Sequence, residues 1–382
     1  MTTNSRFVPP RAAYIHVPFC RHRCGYCNFT LIAGRDDLAE TYLRAIAQEL
    51  SLLKTPREVD TLFIGGGTPT HLSLAQLQQL CETVTRWFPL AAGHEFSVEA
   101  NPLDVTEAKS QLLASYGVNR MSIGVQSFAD KKLALLERDH RGEQIDAAFG
   151  TARRTMRSVS IDLIFGAPGE TLGSWLNDLE QAVRLGPDHV STYGLTFERG
   201  TSFWVRLQRD EIRQVEEEDE RRMYLAGIET LTEAGFEHYE VSNFAKPDHR
   251  CRHNEVYWSG STYYAAGPGA ARFVDGCRET NHRSTTTYLN RVLADRSPVA
   301  ESEVLSPEDS ARERLVFGLR RMEGVERASF ESNTGFIIEQ LVGQSLDKAV
   351  SRGVLEDTGT QIRLTREGLL VSDSIWPEFL DR

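Results

Sequence analysis

The feature that most constrains the fold is an alternation of short apolar segments with amphipathic ones between about residue 11 and residue 200. The apolar segments are bounded by Gly, Pro or Asn and predict six strands, at 12–17, 59–64, 95–100, 120–125, 159–165 and 189–195. Helical periodicity lies between them, at 39–53, 74–88, 107–116, 144–156 and 174–185. Repeated strand–helix units predict an α/β fold with a parallel sheet. A doubly wound sheet and an open or partial barrel both fit, and in either the chemistry collects at the carboxyl ends of the strands.

The pattern changes after residue 200. Residues 205–222 are rich in charge and begin a helix that runs to about residue 234, and residues 236–275 are rich in Tyr, Gly and Asn, as in an irregular functional extension. The remainder predicts three helices and then a hairpin, at 307–319, 330–341, 346–352, 354–356 and 361–364. Three helices and a hairpin are typical of a winged-helix-like domain. We therefore divide the chain into 1–200, 201–300 and 301–382.

Charge argues against nucleic acid as a partner. The chain carries 43 Lys and Arg against 54 Asp and Glu, a net charge of -11. Residues 301–382 carry 16 acidic and 10 basic side chains, a net charge of -6. Because phosphate binding needs clustered Lys and Arg, this end is predicted to be a packing or partner surface, and a transcriptional regulator is disfavoured.

The sequence predicts a soluble, cytoplasmic protein. Residues 1–14 lack the basic start and apolar core of a signal peptide. No stretch approaches the ~18 uninterrupted apolar residues of a membrane span. Of the 6 cysteines, three lie within residues 20–27, which favours a metal site in a reducing compartment over a disulfide framework.

Those three cysteines, Cys20, Cys24 and Cys27, directly follow the first predicted strand. Three thiolates on one short loop can bind three corners of a [4Fe–4S] cluster, whereas electron-transfer clusters of this type use four cysteines. One iron is then open to an external ligand, as in a catalytic zinc site. The alternatives are a zinc site completed by His16 or His22, or thiols that are simply buried.

Later strands also end in candidate ligand-binding features. The second strand runs into the glycine-rich segment 65–70, which allows the backbone to approach a ligand closely or forms only a tight turn. The third strand ends near Glu99, a candidate for a ribose or amino group, or a plain surface residue. Gln126 ends the fourth strand, with Arg138 downstream. Asp162 is embedded in an apolar segment, so its charge needs a partner, either a ligand or a structural ion pair such as one with Arg138.

The cysteine loop resembles that of the radical S-adenosylmethionine (SAM) superfamily, in which the open iron chelates the amino and carboxylate groups of the cofactor. More closely, nearly the whole chain from about Ala12 is similar to the oxygen-independent coproporphyrinogen III oxidase-like family. The motifs that carry this resemblance are segments 14–20, 63–70, 126–128 and 161–168. The resemblance implies a partial (β/α)6 barrel in 1–200 with a helical C-terminal domain.

The same resemblance implies roles for individual residues. Tyr14 contacts the cluster-bound cofactor, and its site is lined by Gly66, Gly67, Thr68 and Glu99. The family oxidase also binds a second SAM molecule, contacted at the positions of Gln126, Arg138, Asp162 and Gly194.

Two branches of this family resemble the chain, an oxidase that decarboxylates propionates of a porphyrin precursor and a heme chaperone. Three features favour the chaperone. The oxidase has an additional cysteine where this chain has Asn28 and Phe29, and it carries a longer arm than the 19 residues that precede Cys20 here. The third feature is the segment 253–258, which resembles the chaperones' His-Asn-x-x-Tyr-Trp heme-binding motif.

Within this motif the imidazole of His253 is a candidate axial ligand for heme iron, and the adjacent aromatic rings can stack on a porphyrin. Alternatively, His253 caps a loop while Tyr257 and Trp258 belong to the core. Cys251 is a further candidate thiol ligand. The chain departs from the chaperone pattern at Asn28, where Asp is usual, and at 271–272, where the usual His-Ser is replaced by Ala-Arg.

The first hypothesis is therefore a heme chaperone that carries a [4Fe–4S] cluster with SAM, binds heme in region 201–300 and passes it to an acceptor hemoprotein. The alternative is an oxygen-independent coproporphyrinogen III oxidase. The sequence does not predict the acceptor, whether heme binding is covalent, or the oligomeric state.

Overall fold

The structure is a computed structural model and describes residues 9–380. The expectations about the signal peptide and the short N-terminal arm fall largely on residues 1–8, which lie outside the described residues.

The strands, in chain order, are β1 Ala12–Val17, β2 Phe19–Cys20, β3 Ile32–Ala33, β4 Val59–Gly66, β5 Leu90–Ala100, β6 Arg120–Gln126, β7 Ser158–Phe165, β8 His189–Gly194, β9 Glu237–Glu240, β10 Asn243–Ala245, β11 Tyr264–Ala266, β12 Ala271–Val274, β13 Cys277–Asn281, β14 Val299–Val304, β15 Val325–Glu326, β16 Leu355–Asp357 and β17 Gln361–Leu364. The α-helices are α1 Ala39–Ser51, α2 Leu74–Trp87, α3 Glu107–Ser115, α4 Asp130–Leu135, α5 Ile145–Arg153, α6 Leu172–Leu185, α7 Ser202–Gln208, α8 Glu217–Glu233, α9 Arg252–Trp258, α10 Thr285–Val292, α11 Pro307–Leu319, α12 Arg327–Thr334, α13 Ile338–Ser351 and α14 Arg366–Leu380.

The six predicted strands form one parallel sheet in the order β1-β4-β5-β6-β7-β8, which is also their order in the sequence. A doubly wound sheet would reverse its strand order at a switch point. Sequential order is that of a barrel. The structure therefore selects the partial barrel from the two arrangements that the sequence allowed.

The sheet is extended at both edges by strands from region 201–300. On one side β11 pairs in parallel with β1, with Tyr14 opposite Ala265. On the other side β10 pairs antiparallel with β8, and β9 completes that edge. Strands β12, β13 and β14 form a separate antiparallel sheet. The sequence analysis predicted none of the six strands from β9 to β14.

Local sequence explains where several helices begin and end. Ser73 begins α2 with a capping box, in which its hydroxyl accepts from the Gln76 backbone and the Gln76 side chain accepts from Ser73. Thr171 caps α6 in the same way with Ser174. Gly186, with φ of 74°, ends α6 in the left-handed conformation that glycine tolerates.

The C-terminal region has its own apolar core, built from residues between Ala311 and Phe379. It has three helices followed by a hairpin, to which β15 adds a third strand. The predicted helix at 330–341 is wrong, because Gly335 adopts a φ of 78° and separates α12 from α13. Helix α14 was not predicted. Among residues 9–380, no helix is long and apolar enough to cross a membrane.

Candidate functional site

A cavity of about 610 Å³ opens at the carboxyl ends of the barrel strands. Its lining includes all three clustered cysteines and most of the predicted cofactor-binding residues, namely Cys20, Cys24, Cys27, Gly66, Gly67, Thr68, Glu99, Gln126, Arg138, Asp162 and Gly194. The structure therefore brings together the ends of β4, β5, β6, β7 and β8 around the cysteine loop, as expected for a parallel barrel.

The cysteine loop begins at β2, which pairs with β3 through Cys20 and Ala33. A turn follows, in which the Cys27 amide donates to the Cys24 carbonyl over 3.1 Å. All three thiols are free, and the Cys20 sulfur lies 3.4 Å from the Thr68 hydroxyl. Burial raises the pKa of Cys20 to about 12 and also raises the pKa of Cys27.

The end of β4 lies directly against this loop. The Gly67 amide donates to the Val17 carbonyl, and the Thr68 amide donates to the Phe19 carbonyl, each over 2.7 Å. A Cβ atom on Gly67 would lie 2.7 Å from the Phe19 oxygen and 3.0 Å from the Cys20 sulfur. Glycine is thus needed at position 67 for close approach to the first cysteine.

Two carboxylates form the polar floor of the cavity. Glu99 accepts a 2.9 Å hydrogen bond from the Gly66 amide, and Asp162 accepts one of 3.2 Å from the Ser122 hydroxyl. Burial, reinforced by the charge of Asp162, raises the pKa of Glu99 to about 8. Burial also raises the pKa of Asp162. Within the described chain Asp162 makes no ion pair within 4.0 Å, so the predicted structural pairing with Arg138 is not seen.

Arg138 and Gln126 complete the inner wall. Arg138 donates to the Gly124 carbonyl over 2.7 Å and lies 3.5 Å from the Cys24 sulfur. Gln126 follows a bulge in β6 and has a φ of 66°, which is unusual for a residue with a side chain. Among the described residues, Nε of Arg138 and Oε1 of Gln126 are buried without a hydrogen-bond partner. Buried polar atoms of this kind require a partner, and here they border a cavity.

These features fit the predicted cluster and cofactor. Three thiols face one cavity, and a guanidinium group lies beside one of them, where it can offset thiolate charge. The backbone of β4 approaches closely, and unpaired polar atoms line the wall. A cubane cluster binds each thiolate at a different iron, so its ligands stand further apart than those of a single ion. Among residues 9–380, no group of three or more His, Cys, Asp or Glu side chains is arranged to hold a single metal ion.

Two of the predicted cofactor-binding residues, Tyr14 and His253, lie outside the cavity lining. Tyr14 is not part of the cavity lining; its hydroxyl lies 3.0 Å from Nδ1 of His16. The other nitrogen of His16 lies 2.6 Å from the Thr30 carbonyl, so both ring nitrogens of this alternative zinc ligand already have partners.

His253 lies at the opposite, amino end of the barrel. Its Nδ1 is 2.9 Å from the Thr61 hydroxyl, its Nε2 is 2.9 Å from the Tyr257 hydroxyl, and the residue is 1% exposed. Burial lowers the pKa of His253 to about 3. Coordination of heme iron by this ring therefore requires one of these bonds to break and the ring to leave its buried position.

The lining includes His22, which the sequence analysis named as an alternative zinc ligand. The cavity also contains residues that sequence reasoning did not assign to it, including Arg21, Phe29, Tyr193 and Arg283. Phe29 lies beside the cysteines and could have been predicted from that proximity. Arg283 comes from the segment before α10 and reaches the cysteine loop through a 2.6 Å bond to the Asn28 carbonyl. No local sequence signal marks that contact.

Comparisons with known proteins agree with this architecture. A family profile described as the radical SAM superfamily matches residues 14–182, and one described as the HemN C-terminal domain matches residues 305–371. The heme chaperone HemW of Bacillus subtilis (strain 168) is 33% identical over 375 residues, covering 97% of this chain and 99% of that protein. The heme chaperone HemW of Escherichia coli (strain K12) is 34% identical over 387 residues, covering 98% and 99%.

Among solved structures, coproporphyrinogen III oxidase (HemN) from Escherichia coli, described as a radical SAM enzyme, superposes with a TM-score of 0.85. It is 24% identical and the match covers 97% of this chain and 90% of that chain. This likeness concerns the fold, and it agrees with the partial barrel and C-terminal domain described above.

Proposed function

Because this chain belongs to the oxygen-independent coproporphyrinogen III oxidase-like family of radical SAM proteins, in its heme chaperone branch, we propose that it binds heme and passes it to an acceptor hemoprotein. The observation that carries the proposal is full-length similarity to heme chaperones, together with a cavity that is lined by three cysteines and by no fourth among the described residues. The predicted assignment to this family and branch is confirmed.

In this proposal Cys20, Cys24 and Cys27 hold a [4Fe–4S] cluster, and SAM binds at its open iron. When bound, the cluster and SAM supply one-electron chemistry that protein side chains cannot. Gly66 and Gly67 present bare backbone to the cofactor, and Thr68 and Glu99 offer it hydrogen-bonding groups. Arg138 offsets the charge of the thiolates from within 3.5 Å of Cys24.

The remaining wall of the cavity supplies further polar contacts. Gln126, Asp162 and Gly194, with the unpaired Nε of Arg138, are the proposed contacts of a second SAM molecule. Tyr14 is the proposed contact of the cluster-bound SAM, although its hydroxyl is bonded to His16 and lies outside the cavity lining. The sequence proposal of His253 as a heme ligand likewise requires α9 to rearrange, because both ring nitrogens are bonded.

The cluster is tested by anaerobic reconstitution of wild type, Cys24→Ala and Cys277→Ala. Wild type is expected to bind four irons per chain and show the broad visible absorption of an iron–sulfur cluster. Cys24→Ala should lose this absorption, since two thiolates hold a cubane poorly. Cys277 is a similarly half-buried thiol outside the cavity, so its variant should retain the cluster. An intact cluster in Cys24→Ala contradicts the assignment.

The chaperone function is tested with the same reconstituted protein. We expect heme to bind with a defined stoichiometry and to move to an apo-hemoprotein, measured by the absorption spectrum of the acceptor. Incubation with coproporphyrinogen III, SAM and a reductant under anaerobic conditions should give no decarboxylated product. Robust decarboxylation, or a failure to bind heme, would overturn the proposal.

A further inference from the structure

The interior of the barrel is polar below the floor of the cavity. Strands β5, β6 and β7 point alternate side chains outward into the apolar core and the others into the barrel. Three of the inward side chains line the cavity, namely Glu99, Ser122 and Asp162. Nearer the amino ends, the same faces of these strands carry Ser97, Arg120 and Ser158, which the proposed cluster and SAM sites do not use.

Arg120 is a buried cation at this lower level. Strand pairing places it between Ser97 on β5 and Ser158 on β7, and it is 4% exposed. Among residues 9–380 its Nε and the hydroxyls of both serines have no hydrogen-bond partner, and it forms no ion pair. Because a buried guanidinium group is costly unless negative charge lies near it, this position requires acidic groups inside the barrel.

Two carboxylates lie on either side of Arg120 along the barrel axis. Glu95 is one inward step below Ser97, and Asp162 accepts from Ser122, one inward step above Arg120. Burial lowers the pKa of Arg120, but neighbouring negative charge, including that of Glu95 and Asp162, outweighs burial and raises it. Arg120 therefore remains a cation between two acidic groups.

At the upper end, Arg120 supports the cavity floor. Burial raises the pKa of Asp162, and the charge of Arg120 opposes that rise. The groups around Asp162 are two hydroxyl donors, two cations, one carboxyl and one phenol, namely Ser122, Ser191, Arg120, Arg138, Glu99 and Tyr193. Arg138 already donates to Gly124 and lies beside Cys24, so Arg120 is the cation left to balance Asp162.

At the lower end, Arg120 supports the attachment of α9. Glu95 accepts hydrogen bonds of 3.0 Å from the backbone amides of Arg252 and His253, the first two residues of that helix. Glu95 is itself buried, so its negative charge needs a cation, and Arg120 is placed to supply it. The same helix begins the segment 253–258 that resembles a heme-binding motif.

We propose that Arg120 is a positioning residue shared by the cofactor cavity and α9, because its guanidinium group balances Asp162 at the cavity floor and Glu95 beneath the helix. The proposal rests on the proposed function, since it takes Asp162 as a SAM contact. It links the SAM site at the carboxyl end of the barrel to the segment at the amino end through one buried charge.

The pH dependence of SAM binding to the reconstituted full chain tests the upper end. In Arg120→Gln the positive charge is absent, so Asp162 ionises at higher pH, and the midpoint of the profile should rise by about one pH unit. Arg120→Lys keeps the charge and should keep the wild-type midpoint. Met121→Ala is the matched control, because Met121 is the next residue on β6 and faces the apolar core. A wild-type profile in Arg120→Gln, or equal shifts in the Gln and Lys variants or in the control, overturns the proposal.

Glu95→Gln replaces Arg120→Gln if the latter does not fold. Neutralising Glu95 leaves the charge of Arg120 to Asp162 alone, so the midpoint for SAM binding should move to lower pH. An unchanged or higher midpoint in this variant contradicts the shared charge.

Hydrogen exchange tests the lower end. In Arg120→Gln the amides of Arg252 and His253 should exchange about tenfold faster than in wild type, beyond any change in α2, which reports general loss of stability. Arg120→Lys should restore slow exchange. Equal acceleration in α9 and α2, or a variant that alters SAM binding without altering α9, shows that Arg120 is not shared.

Failure of the proposed function gives a different result. If wild type binds no SAM, the cofactor assignment fails, while exchange at α9 still reports on Arg120 and Glu95. If wild type binds SAM and heme but Arg120→Gln behaves as wild type in both experiments, the inference about Arg120 fails and the proposed function stands.

Discussion

Glu99 shows how one buried carboxylate couples the site to the stability of the fold. It accepts a hydrogen bond from Gly66 and shares the cavity floor with Asp162, while the positive charge of Arg120 partly compensates its own. Burial and the charge of Asp162 raise its pKa from 4.5 to about 8, so the folded protein without cofactors retains a proton at neutral pH. A bound cationic group, such as an amine or a sulfonium, would reverse that preference.

The resulting pH dependence can be measured in cluster-free protein. The unfolded chain ionises Glu99 near pH 4.5, while the folded chain keeps it protonated up to about pH 8. Its contribution to stability is therefore complete below about pH 4.5 and is lost as pH rises towards 8. Glu99→Gln cannot ionise. We therefore expect the free energy of unfolding of this variant, relative to that of wild type, to rise by roughly 1–2 kcal/mol when the pH is raised from 5 to 8.5.

This expected change in the free energy of unfolding is smaller than for a carboxylate with no access to solvent, because Glu99 lines an open cavity. Urea unfolding at both pH values checks it, with the exposed Glu143→Gln as control. A difference between Glu99→Gln and wild type that is the same at both pH values would show that Glu99 does not carry this titration.

At the scale of elements, α9 closes the amino end of the barrel. Glu95 on β5 accepts hydrogen bonds of 3.0 Å from the backbone amides of Arg252 and His253. The ring of His253 packs against Phe63, with centroids 5.2 Å apart. The segment that resembles a heme-binding motif is therefore part of the barrel core in this structure.

Glu95→Ala tests how firmly α9 is held. It leaves the buried His253 amide and the part-buried Arg252 amide without an acceptor, so we expect a loss of about 2–3 kcal/mol in the free energy of unfolding and faster hydrogen exchange at both residues. The exposed Glu82→Ala serves as the control. Unchanged exchange at α9 would mean that other contacts suffice to hold it.

The strands of the barrel were predictable because nearly every position in them is buried, which leaves continuous apolar segments between turn residues. The three-residue strands β10 and β11, which extend the barrel sheet, lack such a signal, because sheet pairing rather than composition defines them. The break at Gly335 was missed because a single glycine within a periodic segment is ambiguous until its backbone conformation is known.

The residues of the candidate site likewise divide into those that sequence and topology predict and those that depend on tertiary contacts. Residues at strand ends, such as Glu99 and Asp162, could be placed from topology alone, since parallel strands end at one face. Arg283 reaches the cysteine loop through tertiary packing. The buried position of His253 depends on contacts with Thr61 and Glu95, which lie far from it in sequence, so the sequence could not predict it.

At the scale of the whole molecule, Glu49 joins the first helix to the extension. It is buried on α1 and accepts hydrogen bonds from the Gly267 amide, the Asn281 side chain and the Tyr288 hydroxyl, at 2.9, 2.7 and 2.6 Å. These partners are more than 200 residues away in sequence, so one side chain ties region 1–200 to region 201–300.

Glu49→Ala removes the acceptor of all three hydrogen bonds at once. Because three buried donors lose their partner, we expect the free energy of unfolding to fall by about 3 kcal/mol or more. Glu40→Ala, on the exposed side of the same helix, should change it little. Chemical denaturation measures both, and similar values for the two variants would show that Glu49 does not hold the regions together.

The pairing of β1 with β11 has a consequence for synthesis on the ribosome. One edge of β1 is covered by β4 early, but its other edge is covered only by residues 264–266. An emerging chain therefore exposes unpaired amide and carbonyl groups of its first strand until most of the protein has been translated. An open strand edge can pair with other chains, so this nascent barrel has a long interval in which it needs protection from aggregation.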